Sequence, residues 1–248
     1  MFLFQRQLRL TGGAPAAAWA AEVTAGVNKH SASEVSLWMG AFGTPTGTIA
    51  WSAPIEALSQ VDDLNAAMGA DADLTALVAK GADFVADVDA DRLLTIVGGE
   101  ITDSAPVGSY VGAIRAMAAP GKWGAAGTWA AHIAGLYSEV TGLNVVVTST
   151  VAGPMGEISW LVRHDDASSI EAAIGATMGS EKYLTEVEGG GEFFLPGATQ
   201  VFRSSCSGTP WVPSCSSSCC SNTRTTWSLR RFPDQTGSLR PLWQWPSC

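Results

Sequence analysis

Residues 68–84 read MGADADLTALVAKGADF, and residues 178–194 read MGSEKYLTEVEGGGEFF. A Met-Gly pair, a Leu-Thr pair, a glycine and a phenylalanine recur at a constant offset of 110 residues. The shared pattern is M-G-x4-L-T-x5-G-x2-F, and it falls in a helical segment of each half of the chain. An internal repeat of this length decides the fold class, because both halves must then form the same unit.

The repeat extends upstream of this segment. Trp19-Ala20-Ala21 matches Trp129-Ala130-Ala131 at the same offset. Between the two helical segments the offset becomes 109, where the matches are Gly47, Ile49 and Trp51 with Gly156, Ile158 and Trp160. The two repeats therefore differ in length by one residue in an intervening turn, where a repeat tolerates an insertion.

Hydrophobic periodicity and turn residues predict the same order of elements in each repeat. In the first repeat we expect strands at 2–10, 35–42, 48–51 and 92–97, and helices at 15–29 and at 54–85 with a break near Gly69. In the second we expect strands at 110–117, 144–151, 157–163 and 198–202, and helices at 122–140 and 168–188. This order, β-α-β-β-α-β, is that of the ferredoxin-like plait.

The predicted organisation is two tandem ferredoxin-like repeats, residues 1–97 and 108–203, joined by a linker at 98–107. A four-stranded sheet with helices on one face leaves its other face uncovered. Two such sheets in one chain are expected to pack against each other and close an α+β barrel. The predicted fold class is therefore α+β.

Composition changes abruptly after residue 203 of the 248 residues. The first 203 residues carry 10 basic and 22 acidic side chains and lack cysteine, whereas residues 204–248 carry four Arg, one Asp and five cysteines. Residues 204–248 are rich in Ser, Pro and Trp without a regular apolar period, which predicts a disordered tail or an extension read out of frame. The cysteines are Cys206, Cys215, Cys219, Cys220 and Cys248.

Charge and hydropathy exclude several classes of partner. Acidic residues outnumber basic ones about two to one in the first 203 residues, so the protein lacks the basic surface that nucleic acids require. No apolar run reaches the roughly 18 residues needed to span a bilayer, and the N-terminus lacks the pattern of a signal peptide. We therefore expect a cytoplasmic protein with no nucleic-acid and no membrane partner.

The element order, the repeat length and the M-G-x4-L-T-x5-G-x2-F pattern resemble the dimeric α+β barrel superfamily in a fused, two-repeat form. The resemblance covers about residues 1–203. That superfamily includes cofactor-free antibiotic-biosynthesis monooxygenases, NIPSNAP-like proteins, haem-handling members and stress-responsive proteins. The resemblance implies a barrel that acts as a monomer or a homodimer and binds a small hydrophobic or aromatic molecule.

Three residues are candidates for catalysis. His132 lies three residues after Trp129 at the border of a predicted buried helix face, where an imidazole could act as a base in a pocket or simply meet solvent. Arg6 and Arg115 match at offset 109 on the first strand of each repeat. They could clamp the carboxylate, phenolate or enolate of a substrate, or form internal salt bridges.

Four tryptophans, Trp38, Trp51, Trp129 and Trp160, could line an aromatic substrate pocket or belong to the core. His30 and His164 have the positions of structural residues, at a helix end and before a helix start. The histidine spacing lacks a zinc pattern, the acidic run from Asp83 to Asp91 lacks an EF-hand pattern, and the glycine runs lack a nucleotide fingerprint. The sequence therefore predicts neither a metal site nor a bound cofactor.

Three functions follow in order of preference. The first is a cofactor-independent monooxygenase that acts on an aromatic or enolisable metabolite, with Arg6 or Arg115 stabilising the substrate anion and His132 as the base. The second is a non-catalytic barrel that binds a hydrophobic metabolite or acts in assembly. The third is a haem-handling protein, which is disfavoured because neither second helix contains a histidine.

Overall fold

The computed structural model of the protein describes residues 1–101 and 105–206. The strands of this part are β1 (Phe2–Leu10), β2 (Ser36–Phe42), β3 (Thr48–Ile55), β4 (Val85–Val88), β5 (Arg92–Gly98), β6 (Tyr110–Met117), β7 (Val145–Ala152), β8 (Glu157–His164) and β9 (Thr199–Ser205). The α-helices are α1 (Ala14–Asn28), α2 (Ser59–Ala70), α3 (Ala72–Ala79), α4 (Trp123–Thr141), α5 (Ala167–Met178) and α6 (Glu181–Gly189). Short 3-10 turns follow α3 and α6, at Lys80–Asp83 and Gly190–Glu192.

Eight strands form a closed antiparallel barrel. Their order around the barrel is β3-β2-β9-β6-β8-β7-β5-β1, and β1 closes the ring by pairing with β3. The ninth strand, β4, pairs with the C-terminal end of β1. It lies on the same edge of β1 as β5, which pairs with the N-terminal end. The predicted α+β class and the predicted barrel within one chain are confirmed.

Strand alternation separates the side chains of the barrel into two sets. One set points outward to the helices and forms a core in each half of the chain, centred on Trp19 and Trp51 in the first half and on Ala130 and Trp160 in the second. The other set points into the barrel. It includes Trp38, Arg115 and Arg203.

The structure corrects several predicted boundaries. Pro54 belongs to β3, which is four residues longer than predicted, and the following helical stretch breaks at Asp71 rather than at Gly69. The Asp71 side chain accepts a hydrogen bond from the Leu74 N–H and caps α3, which explains the position of the break. The sequence prediction missed β4, because Val85 was assigned to the end of the predicted helix and the next three residues to an acidic loop.

The last strand crosses the predicted boundary at residue 203. β9 continues to Ser205, and Cys206 is buried, with its N–H donating to the Leu37 carbonyl. The remaining residues of the predicted disordered or out-of-frame tail, 207–248, lie outside the described part. No helix within the described residues has both the length and the hydropathy needed to cross a membrane.

Candidate functional site

A cavity of about 620 Å³ lies between the helices and the outer face of the sheet in the first half of the chain; we call it the helix–sheet cavity. Its walls come from β1, β3, α1, α2 and α3. Its volume is within the range of about 300–1,000 Å³ that is typical of small-molecule sites. The apolar wall includes Phe4, Trp19, Val23, Trp51, Leu64 and Met68.

The cavity exists because α2 stands away from the sheet. None of the α2 residues is buried, and Val61, Leu64 and Met68 face the cavity. The helix at the same place in the second half, α5, instead buries Ile170 and Ala173 among its inner residues. The two halves of the barrel therefore differ, and the first half leaves space for a ligand.

Two tryptophans form the rigid floor of this cavity. The rings of Trp19 and Trp51 meet edge to face, with centroids 6.3 Å apart. The Trp19 Nε1 donates to the Leu77 carbonyl at 2.9 Å, and the Trp51 Nε1 donates to Thr24 Oγ1 at 2.7 Å. Because both N–H groups are satisfied inside the protein, the rings present only apolar surface to a ligand.

The charged residues of the cavity lie at its edge, and two of them form an ion pair. Arg6 donates two hydrogen bonds to Asp91, from Nε to Oδ1 at 2.8 Å and from Nη2 to Oδ2 at 2.6 Å. The bonds to Asp91 raise the pKa of Arg6, against the opposing effect of burial. Asp89 lines the same edge, and its carboxylate accepts a hydrogen bond from Gln7. An apolar molecule in the cavity could therefore place one polar group against a cation and two carboxylates.

The predicted aromatic pocket of four tryptophans is not present as a single site. Trp51 lines the helix–sheet cavity, whereas Trp38 points into the barrel and donates from Nε1 to Ser52 Oγ at 2.8 Å. Trp129 and Trp160 pack against each other and against Phe194, with centroid distances of 5.4–6.1 Å. They belong to the core of the second half and line neither the helix–sheet cavity nor the barrel interior described below.

The structure does not bring Arg6 and Arg115 together. Arg6 lies opposite Trp51 in the β1–β3 pairing, on the outer face, whereas Ile114 is the residue opposite Trp160 in the β6–β8 pairing. The structural offset on this strand is therefore 108, not 109. A shift of one residue moves a strand side chain to the other face, so Arg115 points into the barrel, away from Arg6.

His132 lies on the solvent side of α4 rather than in a pocket. Its side chain is 56% exposed, and its Nε2 lies 3.3 Å from Glu186 Oε2 of α6. His132 lines neither cavity. The spacing from Trp129 placed it at the edge of the buried face, but its neighbour Ile133 is the buried residue.

The other two histidines have structural contacts, as expected. The His30 Nε2 lies 2.8 Å from Asp71 Oδ2, so His30 supports the carboxylate that caps α3. His164 is buried against Phe202, and its Nδ1 lies 3.4 Å from Ser169 Oγ near the start of α5. Burial lowers the pKa of His164, against smaller opposing effects of Ser169 and Asp165.

We expect the stability of the protein to fall in mild acid because of His164. Its folded-state pKa is lowered, so the unfolded chain binds one more proton between that pKa and the ordinary value of about 6.5. The contribution is complete above pH 6.5 and is lost as pH falls through the lowered pKa, with a slope of at most about 1.4 kcal/mol per pH unit. Urea unfolding from pH 7.5 to pH 5 should show this fall in the unfolding free energy, and His164→Gln should reduce it. An identical slope in the variant would contradict the assignment.

Sequence reasoning missed two parts of the site. Asp91 follows β4, and the alternating run from Val85 to Asp91, VADVDAD, was the available signal for that strand. Trp19 was recognised in the repeat but was not considered as a ligand contact, since helix tryptophans are usually core residues.

The residues that line the helix–sheet cavity do not fit a haem. The cavity lining contains no His, Cys or Tyr, and a lone thioether, Met68, is not a proximal haem ligand. The described residues also contain no group of three or more His, Cys, Asp or Glu side chains that could hold a metal ion.

Solved structures of similar fold cover most of the chain. A proposed monooxygenase from Fusobacterium nucleatum subsp. nucleatum aligns with a TM-score of 0.62 and 6% identity, over 82% of this chain and 91% of its own. An anthrone oxidase-like protein gives 0.58 and 11%, over 83% and 91%. A proposed monooxygenase from Lactobacillus acidophilus NCFM gives 0.57 and 9%, over 82% and 93%.

No protein-family model matches the sequence, and no curated protein sequence is significantly similar to it. At identities of 6–11%, the structural likeness shows the fold. It agrees with the α+β barrel that the internal repeat predicts.

Proposed function

We propose that the protein binds a flat aromatic molecule in the helix–sheet cavity and oxidises it with molecular oxygen, without a bound cofactor. The observation that carries this proposal is the cavity itself, an apolar space of about 620 Å³ floored by Trp19 and Trp51 with one Arg–Asp pair at its edge. Monooxygenases and an anthrone oxidase-like protein of the same fold make an enolisable polycyclic ketone such as anthrone a suitable first substrate.

Arg6 and Asp91 are the two groups that would act in such an oxidation. The substrate rings would lie against the tryptophans, with the carbonyl oxygen toward Arg6. The Asp91 carboxylate would accept the proton when a C–H bond of the methylene group in the central ring breaks, and the Arg6 guanidinium would stabilise the enolate that keeps the electron pair. The enolate would reduce oxygen, and anthrone plus O2 would give anthraquinone plus water. Asp91 replaces the predicted base His132, which lies outside the cavity.

Oxygen consumption with anthrone tests the enzymatic proposal. We expect uptake above the uncatalysed rate, and we expect Asp91→Asn to lower kcat/KM about 100-fold because the proton acceptor is lost. His132→Ala is the matched control and should leave the rate unchanged. Equal rates for wild type and Asp91→Asn would overturn the assignment of the base.

Binding without catalysis is the second candidate. It is favoured because the cavity lining is mostly apolar and offers few groups for acid–base chemistry. Its titratable residues are Arg6, Asp89 and Asp91. This function would be supported if anthrone quenches the fluorescence of Trp19 and Trp51 while no oxygen is consumed. Trp51→Phe should reduce the quenching, whereas Trp123→Phe, at an exposed position outside the cavity, should not.

We also propose that the barrel consists of two ferredoxin-like repeats, residues 1–97 and 108–203, with 98–107 as linker, as in a fused member of the antibiotic-biosynthesis monooxygenase or NIPSNAP-like groups. The repeated tryptophan pairs support this origin, because Trp51 and Trp160 occupy the same place in their strands. A monomer or a homodimer is expected, and sedimentation equilibrium distinguishes them.

A further inference from the structure

The interior of the barrel carries a group of three arginines from three strands. Arg92 of β5 lies opposite Gln5, Arg115 of β6 lies opposite Ser159, and Arg203 belongs to β9. Arg203 is the most buried of them, with 5% of its surface exposed. Three cations therefore share one enclosed space.

Carboxylates balance only part of this charge. Glu157 forms an ion pair with Arg92, and Gln7 links Arg203 to Asp89 by accepting from the arginine and donating to the carboxylate. Glu157 is largely buried, whereas Asp89 is exposed and lies at the edge of the helix–sheet cavity, so the three cations exceed the carboxylate enclosed with them. Within the described residues, neither Arg115 nor Arg203 has a carboxylate at ion-pair distance.

The electrostatics agree with this excess of cations. Burial lowers the pKa of Arg203 to about 10, with further lowering by Arg115 and Arg92 and an opposing effect of Asp89. Burial and the nearby Arg92 also lower the pKa of Arg115, against Glu157 and Asp89. Both guanidinium groups stay charged at neutral pH, so an added anion would relieve their mutual repulsion.

Buried polar atoms without a partner are concentrated in the same place. Among the described residues, four buried side-chain atoms lack a hydrogen-bond partner: Arg92 Nε, Thr148 Oγ1, Thr150 Oγ1 and Arg203 Nε. Strand register puts all four on inward-facing residues. Buried donors in folded proteins almost always have an acceptor, so the free Arg203 Nε favours the binding of one.

A second cavity, of about 510 Å³, leads to Arg203 inside the barrel; we call it the barrel cavity. Its walls are largely apolar and include Leu3, Trp38, Val146 and Leu161. Its edge carries exposed charges, namely Glu34, Glu100, Arg163 and Asp165. Solvent screens these edge charges, whereas the buried arginines are screened much less, so the inner end of the cavity attracts an anion.

We propose that the barrel cavity binds a small apolar monocarboxylate, with its carboxylate on Arg203 and its apolar body against Trp38 and Leu161. The largely apolar walls with one buried cation match an apolar body that carries a single carboxylate rather than a strongly hydrated phosphate. A guanidinium offers a carboxylate paired, charge-assisted hydrogen bonds. The site lies on the opposite face of β3 from the helix–sheet cavity, so it goes beyond the function proposed above.

Calorimetric titration of the full-length protein with benzoate and hexanoate tests the proposal. We expect saturable binding of at least one of them, and at least about 10-fold weaker binding to Arg203→Met, because charge-assisted hydrogen bonds are lost. Lys29→Met removes the same charge from an exposed position outside the cavity and should leave the affinity unchanged. Benzamide, the neutral analogue of benzoate, should bind at least about 10-fold more weakly than benzoate.

A second variant keeps the test decisive if Arg203→Met fails to fold. Ala113 is buried in the wall of the barrel cavity, and Ala113→Leu narrows it while retaining every charge. Loss of benzoate binding in Ala113→Leu would support the site. The proposal is overturned if neither carboxylate binds, if benzamide binds as well as benzoate, or if Arg203→Met and Ala113→Leu both bind like the wild type.

Discussion

Replacing Glu157 by glutamine should destabilise the protein by about 3–5 kcal/mol, because it leaves a buried charge without its partner. Glu157 and Arg92 pair inside the barrel with only 12% and 14% of their side chains exposed. Glu157 also offsets the repulsion between Arg92 and Arg115. The neutral variant would retain three arginines in the interior without the buried carboxylate of Glu157. Equilibrium urea unfolding of wild type and variant measures the loss.

An exposed ion pair provides the control for this prediction. Lys182 Nζ lies 3.1 Å from Glu139 Oε2, and both side chains are about two-thirds exposed, at 64% and 65%. Glu139→Gln should therefore change the unfolding free energy by no more than about 0.5 kcal/mol. Replacing both Arg92 and Glu157 by leucine should recover most of the loss, since no buried charge then remains unpaired in that pair. Equal unfolding midpoints for the two glutamine variants would contradict the prediction.

Gly190→Ala should cost about 3 kcal/mol, at the upper end of the range for an overpacked core. A Cβ at this position would lie 2.3 Å from Cζ2 of Trp129. The indole cannot move away, because it packs between Trp160 and Phe194 and its Nε1 donates to the Glu186 carbonyl at 3.3 Å. The backbone itself accepts alanine, since φ is −72°.

The neighbouring glycine separates this steric effect from helix propensity. A Cβ at Gly191 meets no atom within 4 Å, so Gly191→Ala should be close to neutral in urea unfolding. Trp129→Phe shortens the ring that would clash, so Gly190→Ala should cost much less in that background. A similar loss for Gly190→Ala and Gly191→Ala would show that the contact with Trp129 is not the cause.

The same glycine shows how far the sequence could predict the fold. The offset of 110 matched Trp19 with Trp129 and Gly81 with Gly191, and it led to the correct α+β class and barrel. In the structure, however, Gly81 packs on Trp19 and Gly190, not Gly191, packs on Trp129. The 3-10 turn after α6 absorbs a shift of one residue, and the three consecutive glycines hide it in the sequence.

Shifts of this size matter most on strands. On a helix, residues one position apart lie on neighbouring faces, so an offset error of one residue changes the environment of a side chain less. The matched tryptophans Trp19 and Trp129 do both lie in the core. On a strand the same error exchanges inside and outside, and the pairing of Arg6 with Arg115 was wrong for this reason. The site depends on such strand registers. It also depends on the long-range pairing of β4 with β1, which brings Asp91 to Arg6. Local sequence patterns specify neither.

The position of β9 in the barrel has a consequence for how the protein is made. β9 is the last strand of the barrel in the chain, yet it lies between β2 and β6, and Trp38 pairs with Ser205. At a synthesis rate of roughly 5–20 residues per second, β2 waits roughly ten seconds or more for its partner. During that interval the nascent chain exposes the unpaired edge of β2, so chaperone binding and aggregation during translation should respond to substitutions on that edge that leave the finished barrel unaffected.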